Sequence, residues 1–142
     1  MRLSKPASVV EMAVQTVTRA RNRALVAVLR EAEGRRVLGV GVGRSGAAAV
    51  LCGLRHVPPV RPVLWLALLR AVEGLGGRIV RSFIDQDEQG RPHAFFDVLG
   101  VRGVVEVPCS TEDAVAIACL AGTPLFVPHT LLGRHRPWYG PA

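Results

Sequence analysis

Glu112 and Asp113 stand side by side in the stretch Cys109 to Val127, CSTEDAVAIACLAGTPLFV, and are its only charged side chains. Adjacent carboxylates are the residue type that general acid–base catalysis or oxygen ligation of a divalent cation needs. The surrounding sequence also gives them a structural use. Ser110 is placed to cap a helix, its hydroxyl accepting from a free N–H of the first turn. Asp113 follows three residues on, where a capping box places an acid, though Glu or Gln is the usual occupant. Ala114, Val115, Ile117, Ala118 and Ala121 make an apolar face, Gly122 stops the helix and Pro124 prevents its return. Leu125, Phe126 and Val127 read as a short buried strand. Asp113 is explained more simply as a cap than as a catalytic group.

The remaining reactive residues are more scattered. Gly41-Val42-Gly43-Arg44-Ser45-Gly46 is a GxGxxG between a strand and a helix, the context of a dinucleotide fingerprint. The unit fails further on: no parallel strand follows, and Val63 to Ala67, where an acid should hold a ribose, contains none. Small residues that allow close packing account for the glycines. Asp85, Asp87 and Glu88 share a loop that can attract a metal, without the spacing of an EF-hand. His56, His93, His129 and His135 sit in or beside loops, and Ser45 and Ser110 are better read as helix caps than as nucleophiles. The three cysteines, Cys52, Cys109 and Cys119, show no zinc-ligand spacing and are expected as buried free thiols.

The elements that must position these residues follow from pattern. Val9 to Thr18 is rich in β-branched residues, hence a strand. An arginine-rich bend, Ala20 to Arg23, leads to ALVAVLREAEG, whose first half reads as a buried strand and whose end, Glu31 to Gly34, reads as a hairpin turn to the partner strand RRVLGVGVG. Arg44 to Leu54 is a short helix. Pro62 suits the first turn of the next, Val63 to Leu75, which Gly76 and Gly77 end. Arg78 to Ile84, Ala94 to Val101 and Val104 to Val107 are strands, and Pro128 onward adds one helical turn. The order β-β-β-α-α-β-β-β-α-β predicts an α+β fold, a mixed and largely antiparallel sheet of six to seven strands with three main helices. Residues 1–8 read as a leader, 9–133 as one domain and 134–142 as a tail.

Composition sets the class. A chain of 142 residues, 49% hydrophobic and 20% charged, is globular. The net charge of +7 is almost wholly arginine, since Lys5 is the only lysine, and it favours polyanionic partners such as nucleic acid. The apolar runs are too short to span a bilayer, and a reduced, cytoplasmic location is expected. The helix VLWLALLRAVEGL is apolar on nearly every side. The helix before it is also apolar all round, and one domain of this size rarely buries two. A symmetric dimer is expected to cover part of that surface.

LREAEGRRVL, then VPPVRP leading into a helix, then DAVAIACLAGTPLFV, together resemble the bifunctional nuclease (BFN) domain family, in collinear order from about Glu11 to Val127. The resemblance implies a compact α+β domain and cleavage of RNA and DNA, the activity ascribed to the founding plant members. It also locates departures. The family's Arg-Pro-Ser-Asp-Ala opening of the last helix keeps only Asp113 and Ala114. Arg61 and Pro62 are kept at the second helix, but Thr-His-Asp is replaced by Leu64, Trp65 and Leu66. A family glutamate at the first helix corresponds to Gly46, and Pro-Ile-Trp-Ile-Gly to residues 39–43, which explains the GxGxxG.

The residues left for catalysis are Asp113 and Glu112, with Arg61 and Arg44 for nucleic-acid binding. Any metal is unassigned, though a divalent ion is possible if the site is active. The resemblance thus predicts a family nuclease of weak or lost activity. The alternative is a non-catalytic nucleic-acid-binding or dimerising partner protein.

Overall fold

The computed structural model describes residues 9–60 and 63–132; the expected leader and tail, and Arg61 with Pro62, lie outside them. The elements are β1 (Val9–Arg19), β2 (Leu25–Glu31), β3 (Val37–Val42), α1 (Arg44–Arg55), α2 (Leu64–Gly74), β4 (Arg78–Gln86), β5 (Pro92–Gly100), β6 (Gly103–Cys109), α3 (Thr111–Ala121), β7 (Leu125–Pro128) and α4 (His129–Leu132). The expected order holds, with α4 as the additional helical turn.

The strands form one seven-stranded sheet in the order β3-β2-β1-β7-β4-β5-β6. Every described pairing is antiparallel except β4 with β7. β7 therefore joins two antiparallel meanders, β1-β2-β3 and β4-β5-β6. Because the first meander runs back and forth, Leu25 lies opposite both Arg19 and Val42. The turn after β1 and the start of α1 consequently share one end of the sheet.

Side chains alternate between faces along each strand. One set, with Met12, Leu29, Val40, Ile84 and Leu125, packs with Val50 of α1 and Val115 of α3 into the main core. Beside it Leu69 of α2 meets Ile79, Phe96 and Ile117. On the alternate positions Val9, Phe83, Phe95 and Phe126 form a separate cluster, with the Phe83 and Phe95 rings stacked at 4.7 Å.

α1 and α3 run side by side in register. A Cβ at Gly46 would meet the Glu112 side chain, and one at Gly53, seven residues on, would lie 2.5 Å from the Cys119 carbonyl oxygen. The small residues of α1 thus admit another helix, not a nucleotide. α2 differs, with Leu69 its only buried residue. Its apolar character does not mean that it lies in the core.

Candidate functional site

The first turns of α1, α2 and α3 converge, and both candidate catalytic acids lie where they meet. Local sequence sets the α3 end. Ser110 Oγ accepts from the Asp113 N–H at 3.0 Å, and Asp113 Oδ2 accepts from the Ser110 N–H at 3.0 Å. The capping box expected from sequence is complete, and Gly122 closes the helix with φ 67°.

The other oxygen of Asp113 is also engaged. Trp65 Nε1, in the first turn of α2, donates to Asp113 Oδ1 at 2.8 Å. Burial pushes the Asp113 carboxyl up, but the hydrogen bonds from Trp65 and Ser110 outweigh it and hold the group below the usual carboxylate range. Asp113 is an anion with its acceptors in use.

Glu112 reaches the third helix. Its Oε2 accepts from the Gly43 N–H, at the N-cap of α1, at 2.6 Å. Gly43 has no side chain to cap α1, and α1 has no acid in its own first turn. Glu112 supplies that missing charge from α3, where the positive end of the α1 dipole favours it.

Cys109 adjoins this site and is no nucleophile. Burial, with a smaller contribution from the Asp113 charge, pushes its thiol up to about 12. Burial pushes Cys119 up to about 12 as well. Both remain protonated thiols at neutral pH. The three cysteines are free, as expected, but only partly buried.

Phosphodiester hydrolysis through a metal needs carboxylate oxygens open to the ion. Here Glu112 Oε2 and both Asp113 oxygens already accept hydrogen bonds from the fold. Among the described residues no group of three His, Cys, Asp or Glu stands close enough to hold a metal. Two acids already engaged in holding helix ends, with no third ligand among the described residues, do not make a fitted site for such an ion.

Of the residues assigned to nucleic acid, Arg44 is exposed at the first position of α1, beside Gly43. Arg61 lies outside the described residues. Sequence reasoning missed the Trp65–Asp113 bond, which joins residues 48 apart, and the Glu112–Gly43 bond, which joins residues 69 apart. The three-strand meander brings Arg19 and the arginine-rich bend, with Arg21 and Arg23, to the same end as Arg44.

Fold and site together define a class: an α+β domain with a mixed sheet, whose acids sit at a junction of helix N-termini. Residues 27–136 match the bifunctional nuclease domain, and the chain belongs to that family. It is also similar to two proteins of Mycobacterium tuberculosis, uncharacterized protein MT1877 of strain CDC 1551 / Oshkosh and uncharacterized protein Rv1829 of strain ATCC 25618 / H37Rv. Each is 31% identical over 109 residues, a match covering 77% of this chain and 65% of the relative. The chain therefore spans just under two thirds of the length of those relatives.

The departures noted in sequence now have positions. Trp65 stands beside Asp113 at the position where the family resemblance implies a histidine. Its indole N–H only donates, so it cannot accept a proton as a histidine can. Glu112 covers Gly46, the position where the resemblance implies a glutamate.

Proposed function

We propose that this chain is a bifunctional nuclease family domain that binds nucleic acid and hydrolyses RNA or DNA weakly or not at all. The observation that carries the reading is the engagement of Glu112 and Asp113: three of their four oxygens hold Gly43, Trp65 and Ser110. Supporting it, Trp65 stands where a proton-transferring group would be useful. The basic charge favours a polyanion. Purified protein incubated with single-stranded and duplex RNA and DNA, with magnesium or manganese and with chelator, is expected to bind in a salt-sensitive way without metal-dependent cleavage. Metal-dependent cleavage that Asp113→Ala abolishes would reverse the reading in favour of the hydrolase.

A second reading, self-association, has its own observation. Leu64 is 84% exposed and Leu75 87%, at opposite ends of α2. Beside α2 runs an apolar groove of about 570 Å³, lined by Leu64, Trp65, Leu68, Phe96, Val107 and Ile117. Exposed apolar surface of this kind suits contact with a second copy. Light scattering at micromolar concentration is expected to give twice the mass of one chain, falling to one chain for Leu64→Glu with Leu75→Glu. A single-chain mass for the unaltered protein would sink this reading.

A further inference from the structure

We infer that Arg19, Arg21, Arg23 and Arg44 form the surface on which this domain receives the phosphate backbone of a nucleic acid. The inference rests on the nucleic-acid-binding reading above and gives that activity a place.

Topology brings these arginines together. Arg19 ends β1, Arg21 and Arg23 lie in the turn that follows, and Arg44 follows the end of β3. Leu25 faces Arg19 on one side and Val42 on the other. The two strand spacings from β1 to β3 amount to roughly 10 Å. That width corresponds to about three base-pair steps measured along a duplex axis, at ~3.4 Å each.

All four side chains are exposed, and among the described residues none is in an ion pair. Three other arginines are neutralised: Arg36 by Glu31, Arg81 by Asp97 and Arg91 by Asp87. Glu112, close to Arg44 in the fold, turns its carboxylate to the Gly43 N–H instead. The other end of the same meander carries Glu11, Glu31 and Glu33 around one depression. Arg30, Arg35 and Arg36 at that end are matched in number by these three acids, so the net positive charge of the three strands lies at the end where α1 begins.

The turn that presents the arginines is braced. Ala20 N–H donates to Ala24 O at 2.8 Å and Arg23 N–H to Ala20 O at 2.9 Å. Asn22 Oδ1 accepts from the Ala24 N–H at 3.1 Å, and Arg19 Nη1 donates to Arg23 O at 3.2 Å. Arg23 has φ 68°, a left-handed conformation uncommon for a long side chain. Glycine or asparagine would adopt it at lower cost. The braced turn fixes the point from which the Arg23 side chain leaves the backbone, and phosphate contacts use Arg to position a protein on the duplex.

The test compares two variants of the full chain that lose the same charge. One changes Arg19, Arg21, Arg23 and Arg44 to Gln. The other changes Arg30, Arg35, Arg55 and Arg102, also exposed, to Gln. Binding of a fluorescent single-stranded oligodeoxynucleotide and of the corresponding RNA and DNA duplexes is measured across a salt series, with circular dichroism to confirm folding. Each lost phosphate contact removes about 0.7 from the logarithmic salt slope on single strands and about 0.9 on B-DNA. The first variant is expected to lose affinity at least ten-fold relative to the second and to flatten the slope by roughly 3. Equal losses in the two variants would leave nucleic-acid binding standing and remove this surface from it. Failure of the unaltered protein to bind any of the nucleic acids, or its binding of phosphatidylserine vesicles in their place, would overturn both readings.

Discussion

Arg81→Ala is expected to lower the free energy of unfolding by about 3–5 kcal/mol, a large part of what holds a small domain together. Arg81 and Asp97 face each other across β4 and β5. Arg81 Nε donates to Asp97 Oδ2 at 2.6 Å, with the Arg81 side chain 19% exposed and Asp97 fully buried. Asp97 Oδ1 has no hydrogen-bond partner. Removing the guanidinium leaves a buried carboxylate without its main compensation, and the desolvation penalty is then unopposed. Asp97→Asn removes the charge and leaves an arginine that can reach water, so its expected cost is smaller, about 1–2 kcal/mol. Replacing both partners together, Arg81→Met with Asp97→Leu, is expected to be near neutral, because two apolar side chains carry no desolvation penalty. Urea unfolding with unchanged slope measures all three. A cost below about 1 kcal/mol for Arg81→Ala would show the pair to be solvated in solution.

This pair also marks the limit of what sequence can say. Asp97 falls within the strand expected over Ala94 to Val101, but its partner and its complete burial depend on the register of β4 against β5. Features specified within a few residues are legible at α3 but not at the start of α1, where Ser45, expected as a cap, is the second helical residue behind the N-cap Gly43. Ser110, Asp113, Gly122 and Pro124 bound α3, and alternating apolar residues gave the strands and their order. Features that needed two distant segments were not readable. The 48 residues between Trp65 and Asp113 and the 69 between Gly43 and Glu112 are spanned only once the helices pack. α2 shows the same limit for burial. Its sequence specifies an apolar helix, but the fold decides that only Leu69 is fully buried while Trp65, Leu66, Leu68 and Val72 are partly covered.

Glu112 on the third helix supplies the acid that the first turn of α1 lacks, and a double-mutant cycle at positions 46 and 112 is expected to show it. Gly46 is the third residue of α1, where a glutamate reaches back to the N-cap N–H in a capping box. Glu112 Oε2 now accepts from that N–H, at Gly43, across the helix interface. The two arrangements exclude each other, since a Cβ at Gly46 would lie 2.2 Å from Glu112 Oε2 and 2.9 Å from its Cδ and Cγ. Gly46→Ala alone should therefore cost about 1 kcal/mol, the roughly 1 kcal/mol gain in helix propensity being exceeded by the displaced charge-assisted bond, worth about 1.5–3 kcal/mol. Glu112→Ser alone should cost a similar 1–3 kcal/mol by leaving the Gly43 N–H without its acceptor. In the Glu112→Ser background the sign reverses: Gly46→Ala becomes stabilising by up to about 1 kcal/mol, and Gly46→Glu recovers most of the loss by restoring the bond from within α1. That last double variant has the glutamate and serine that the family resemblance places at these positions. Additive effects in thermal or urea unfolding would show that Glu112 does not cap α1. Recovery would mean that Glu112 supplies a structural charge to α1, which is also why it is a poor candidate for catalysis.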